Sequence, residues 1–145
     1  MEYVRITTKE AILRTLSDFS DVFPHLGEKI ESMDAYAEKL ARFAQCWLGQ
    51  ENGTAVGLVI FYANDPDSKM AYITLIGVKP AFQGKGLGCR LLAKCEETAK
   101  ELGMTRLSLE VDCDNPQAQR FYQQNGFSFS GNTERNSMYL CKSIL

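Results

Sequence analysis

The sequence predicts an α/β fold (α+β in the finer division), with a mixed, mostly antiparallel sheet and helices packed against it. Three observations carry this. Apolar residues recur at strand spacing in some segments and at helical spacing in others, the two kinds are interleaved along the chain, and turn chemistry separates them at short intervals. The 145 residues suit one domain, 1–145, with 45% hydrophobic and 23% charged residues, the balance of a soluble globular chain.

Tyr3, Val4, Arg5 and Ile6 read as a short first strand. Thr8 can then cap a helix running to about Phe19, with Ile12, Leu13, Leu16 and Phe19 on one face. Residues 21–30 hold Pro24 and Gly27 and read as a loop or a broken turn. A second helix begins near Ser32 or Asp34, and Tyr36, Leu40 and Phe43 recur along it at helical spacing. Residues 45–51 and 54–63 are strands joined by Asn52-Gly53, a tight-hairpin pair. The run 55–62 is almost continuously apolar, as a central strand should be. Residues 64–68 carry turn chemistry, and residues 70–78 form a third long strand that ends at Lys79-Pro80.

After a glycine cluster, Leu87, Leu91, Cys95 and Leu102 line one face of a helix that Gly103 stops. Residues 106–112 are a further strand. Residues 115–125 are a helix that tolerates Pro116 in its first turn and ends at Gly126. Residues 127–130 and 137–143 close the chain as an antiparallel pair. The order β-α-α-β-β-β-α-β-α-β-β amounts to about seven strands flanked by about four helices. The alternating pattern of residues 137–143 also offers an edge for a homodimer.

The net charge of −2 and pI near 5.5 argue against a nucleic-acid surface. No segment approaches the ~20 apolar residues of a membrane span, and the first ten residues lack a signal-peptide core. A cytoplasmic protein without membrane or nucleic-acid partners is expected. The five cysteines are odd in number and show no CxxC spacing, so neither a metal site nor a disulfide framework is indicated. His25 is the only histidine available to a catalytic cysteine and lies in an unrelated stretch.

Gln83, Gly84, Lys85, Gly86, Leu87 and Gly88 lie between a strand and the start of an amphipathic helix. The first helical N–H groups there have no intrahelical partners, and the helix dipole adds positive character, so the junction favours an anion. Glycines let the backbone approach phosphate oxygens closely. Lys85 brings a charge, and Lys79 and Arg90 stand nearby in sequence. A plain connecting turn is the bland alternative. A dinucleotide fingerprint fails at Cys89, and a P-loop lacks its Gly-Lys-Ser/Thr ending, so alone the run indicates only a phosphate.

Gln83, Gly86 and Gly88 also match the Gln/Arg-x-x-Gly-x-Gly/Ala signature, and residues 73–82 resemble the strand that leads into it. Downstream, Asn115, Ala118, Phe121 and Tyr122, followed by Gly126-Phe127, resemble an Asn-x-x-Ala-x-x-Phe-Tyr…Gly-Phe motif. With both motifs in order, the chain is similar to the GNAT (Gcn5-related N-acetyltransferase) superfamily, over residues 54–145 by motif and over residues 1–50 only by order of elements. The resemblance implies an acetyl-CoA-binding half in 54–145, an acceptor-side half in 1–50, and two splayed strands, 70–78 and 106–112. It implies that Ile76, Gly77 and Val78 meet the pantetheine arm, that residues 83–88 hold the pyrophosphate, that Asn115 touches the arm, and that Tyr122 lies near the thioester sulfur.

Acetyl transfer needs a neutral amine, a polarised carbonyl and a proton for the departing thiolate. A backbone N–H near Val78 is a candidate for polarising the carbonyl. Tyr122, with an ordinary pKa of about 10, is the candidate acid, against the alternative of a buried aromatic whose hydroxyl finds a partner. Glu110 is a candidate base or, equally, a solvent-facing residue between Leu109 and Val111. His25, Tyr36, Tyr72 and Thr74 are candidates for the acceptor site. A loose likeness of residues 23–40 to GNAT proteins of surface-polysaccharide synthesis suggests an amino sugar, free or on a nucleotide. A protein or peptide amine, which would call for an open acidic groove, and a non-catalytic acyl-CoA sensor are the competing readings.

Overall fold

A computed structural model describes residues 1–145. The elements in chain order are β1 (Glu2–Arg5), α1 (Lys9–Asp18), α2 (Met33–Phe43), β2 (Ala44–Glu51), β3 (Thr54–Tyr62), β4 (Met70–Val78), α3 (Leu87–Glu101), β5 (Arg106–Asp112), α4 (Pro116–Gln124), β6 (Ser128–Asn132) and β7 (Ser137–Ser143). The seven strands form one sheet in the order β1-β2-β3-β4-β5-β7-β6. Every neighbouring pair is antiparallel except β4 and β5. The mixed sheet with four helices is the predicted class.

Local chemistry accounts for the boundaries. The Thr8 hydroxyl accepts from the Ala11 N–H at 3.2 Å, and Ser32 caps α2 through the Ala35 N–H at 3.1 Å. Asn52 and Gly53 both take positive φ, 51° and 80°, which turns β2 into β3 as a two-residue hairpin. The expected loop over residues 21–30 contains a 3-10 turn, Leu26–Glu28.

The continuous apolar run of β3 alternates between two cores. Val59, Phe61 and Ala63 face one side, with Leu91, Cys95 and Ala99 of α3 and Phe127. Leu58 and Ile60 face the other, with Ile12 and Leu16 of α1, Phe19, and Ala37 and Leu40 of α2. The sheet is therefore covered on both faces.

Two features place a site. The register pairs Ile60 with Leu75 and Phe61 with Ile73, so Thr74 faces no partner and makes a bulge in β4. Bulges bend a strand and increase its twist. Consistently, β4 stays paired with β5 only over Met70–Tyr72, against Arg106, Leu107 and Ser108, while β5 remains paired with β7 along its whole length. The two central strands splay beyond Tyr72, leaving a wedge between Thr74–Val78 and Leu109–Asp112.

One expectation is corrected. Residues 137–143 offer no free edge for a homodimer, because β7 is inserted between β5 and β6 and is paired on both sides. The alternation that suggested an edge there reflects a strand whose two faces see different surroundings.

Candidate active site

Two cavities meet at the wedge. The first, about 510 Å³, lies on the α3–α4 side and is lined by Ile76, Gly77 and Val78, by Gln83, Gly84, Gly86, Leu87 and Gly88, and by α4 and its cap. The second, about 430 Å³, lies on the α1–α2 side between residues 23–29, β4 and β5. Only Ile76 and Tyr122 belong to both walls.

The first cavity is built for an anion at one end. Gly84 and Gly86 take φ of +79° and +76°, and nothing lies within 4 Å of where their Cβ atoms would stand. Gly86 caps α3, and the first helical bond returns from the Arg90 N–H to the Gly86 carbonyl. No side chain caps the N–H groups of Leu87, Gly88 and Cys89, and the first turn carries no acidic residue. Those donors, with the helix dipole behind them, point into open space beside a glycine backbone.

At the other end α4 places its side chains. Asn115 caps the helix, its Oδ1 accepting from the Ala118 N–H at 3.1 Å, and it also lines the cavity. Phe121 and Phe127 flank Tyr122 edge-on, with ring centroids 5.3 Å and 5.7 Å away. The Tyr122 hydroxyl makes no hydrogen bond to another residue, although burial pushes its pKa up to about 12. It is thus protonated throughout the neutral range and free to donate where the two cavities join.

In the second cavity Glu110 and Asp112 project from the same face of β5, opposite Phe23, Pro24, His25 and Lys29. Ser137 Oγ donates to Glu110 at 2.8 Å and Arg135 at 3.1 Å. Partial burial pushes the Glu110 carboxyl up, but these hydrogen bonds and the positive charges of Arg135 and Lys29 outweigh it, and the pKa lies below its ordinary value.

Among the sequence candidates, His25, Thr74 and Glu110 line the second cavity and Tyr122 lines both. Tyr36 and Tyr72 line neither. Tyr36 packs against the α1–α2 core and hydrogen-bonds with Thr74 of the second wall, and burial raises the pKa of both phenols. Tyr62, the partner of Tyr72 on β3, packs into the α1–α2 core, so Tyr72 lies on the same side of the sheet as the second cavity, close enough to Glu110 and Arg135 to feel their charges. Lys85 is exposed outside the cavity wall, with its ammonium 5.4 Å from the Phe82 ring centroid. Lys79 is tied to Asp18 at 2.8 Å. Phe82, Cys89, Gln117, Ala118 and Phe121 join the first wall unanticipated, although Ala118 and Phe121 stand at motif positions. Lys29 is likewise new to the second, and no spacing rule would have singled it out. No group of three or more His, Cys, Asp or Glu side chains is placed to hold a metal ion. No helix is long and apolar enough to cross a membrane.

Residues 12–127 match the Acetyltransferase (GNAT) family profile. The chain belongs to the acetyltransferase (GNAT) family. The uncharacterized N-acetyltransferase YdgE of Bacillus subtilis is 38% identical over 82 residues, covering 55% of this chain and 52% of that relative. A mycothiol acetyltransferase of Beutenbergia cavernae is 30% identical over 82 residues, 57% of this chain and 28% of the relative. The chain thus spans about half or less of the length of these curated relatives. A PaiA N-acetyltransferase from Thermoplasma acidophilum, solved in complex with coenzyme A, shares the GNAT fold with a TM-score of 0.75 at 18% identity, covering 99% of both chains.

Proposed function

We propose that this protein is an N-acetyltransferase that moves the acetyl group of acetyl-CoA to the primary amine of a small molecule, with an amino sugar, free or on a nucleotide, as the acceptor class. The observation that carries this is the shared wall: one tyrosine hydroxyl without a partner stands where an anion-binding cavity meets a second cavity lined by acids. The first cavity passes the test of fit for acetyl-CoA, because its open glycines and uncapped helix start form a cradle that any Cβ would narrow.

When bound, acetyl-CoA supplies the acetyl group as an activated thioester. The backbone of residues 83–88 would hold its pyrophosphate, Ile76, Gly77 and Val78 would run beside its pantetheine arm, and Asn115 would touch the same arm. Tyr122 serves as general acid, its proton held ready for the departing sulfur. Full transfer of a proton from so weak an acid to a thiolate is uphill. The phenol therefore gives up its proton only as it regains one from the acceptor nitrogen, so that the proton lost by the amine ends on sulfur. Glu110, ionised by its partners, would hold the acceptor ammonium, whose first proton passes to solvent water, directly or by way of Glu110, before the neutral amine attacks.

The reading is tested by CoA release with purified protein, acetyl-CoA and a panel of amino sugars, their nucleotide derivatives, polyamines, amino acids and peptides. Turnover with small amines supports it. Tight acetyl-CoA binding with no turnover on any amine would replace it with a sensor.

A further inference from the structure

We infer that the acceptor carries an anionic group in addition to its amine. This rests on the reading of the second cavity as the acceptor site. Its wall is not uniformly acidic. Glu110 and Asp112 stand on the β5 side, and Lys29 stands across from them at the end of the 3-10 turn.

The partnering of these charges is unequal. Glu110 is already satisfied by Arg135 and Ser137. Neither Lys29 nor the Asp112 carboxylate forms an ion pair in the fold. The Lys29 backbone N–H bonds the Leu26 carbonyl at 3.4 Å, which ties the base of its side chain to the turn. Its positive charge is felt at Glu110, so the two signs share one space.

A cavity of about 430 Å³ with an acidic wall, a facing unpaired cation and an apolar floor from Phe23 and Pro24 is complementary to a molecule with separated charges. The ammonium would lie toward β5 and beneath Tyr122, and a carboxylate or phosphate would lie toward Lys29. A simple monoamine would use the β5 acids and leave the exposed Lys29 charge to solvent.

The test uses matched acceptors with the intact protein: glucosamine against glucosamine 6-phosphate, and alaninamide against alanine. CoA release gives kcat/KM for each. The anionic member of at least one pair should be favoured by about tenfold, the worth of one charge-assisted hydrogen bond. Which pair shows it distinguishes phosphate from carboxylate. Lys29→Glu should reduce that ratio at least about tenfold, with an unchanged melting temperature confirming the fold. Equal or better use of the neutral members overturns the inference, as does a preference that survives Lys29→Glu. Failure of all amines together with the wider panel instead overturns the acetyl-transfer reading on which it rests.

Discussion

A Cβ at Gly88 would stand 3.0 Å from Cζ of Phe121, closer than aromatic and aliphatic carbons normally pack. Gly88→Ala should therefore push Phe121 into the first cavity, weakening acetyl-CoA binding by calorimetry and costing on the order of 1 kcal/mol of stability. At Gly86 space is open but φ is +76°, and a carboxylate there would face the proposed phosphates. Gly86→Glu should abolish acetyl-CoA binding; unchanged affinity would remove the run from the site. Tyr122→Phe removes only the unpartnered hydroxyl between two aromatic rings. Turnover should fall by about a hundredfold or more, with acetyl-CoA affinity little changed. Equal turnover would take Tyr122 out of the chemistry. The glycines are legible in the sequence because a helix start that holds an anion demands them, whereas Asn115 and Tyr122, seven residues apart, are marked only by the resemblance to the family motif. Lys29 is not legible, because it acts from an irregular loop where only the fold decides which way a chain segment faces.

The splayed pair is the element that matters most. The sequence shows where β4 and β5 begin and end, but the bulge at Thr74 leaves no mark in their apolar pattern, since threonine suits a strand or a bulge equally. Gly77 shows how β4 also positions the loop opposite. A Cβ there would collide with Val22 Cγ1 and approach Phe23 Cζ at 3.1 Å. Gly77→Val should displace the loop that floors the second cavity. A rise of at least several-fold in acceptor KM is expected, with a stability loss of about 1–3 kcal/mol. An unchanged KM would show that residues 22–23 do not shape that cavity.

At the scale of the whole molecule, four strands on one side and three on the other are joined in the sheet by three residue pairs of β4 and β5. The buried Ser108 hydroxyl reinforces this seam by donating to the Ala71 carbonyl at 3.1 Å. The molecule also buries weak acids in their neutral form. Burial pushes Cys46 up to about 11, Tyr122 up to about 12, and Cys95, Tyr36, Tyr62 and Tyr72 upward. The unfolded chain releases these protons at lower pH than the folded one, so the native state binds more protons and stability falls as pH rises. Denaturant midpoints should hold to about pH 8.5 and drop steadily from there towards 12. A flat profile to pH 11 would contradict the burial of these groups.

The wedge opens on both faces of the sheet, and this gives the molecule two doors. The acceptor would come and go on the α1–α2 side and the thioester on the α3–α4 side, meeting only at Ile76 and Tyr122. Neither traveller need wait for the other to clear the passage. Initial rates varied in both substrates should give intersecting lines, and either substrate should bind the free protein. A queue imposed by a single entrance, with one substrate unable to bind until the other has, has no counterpart in this architecture.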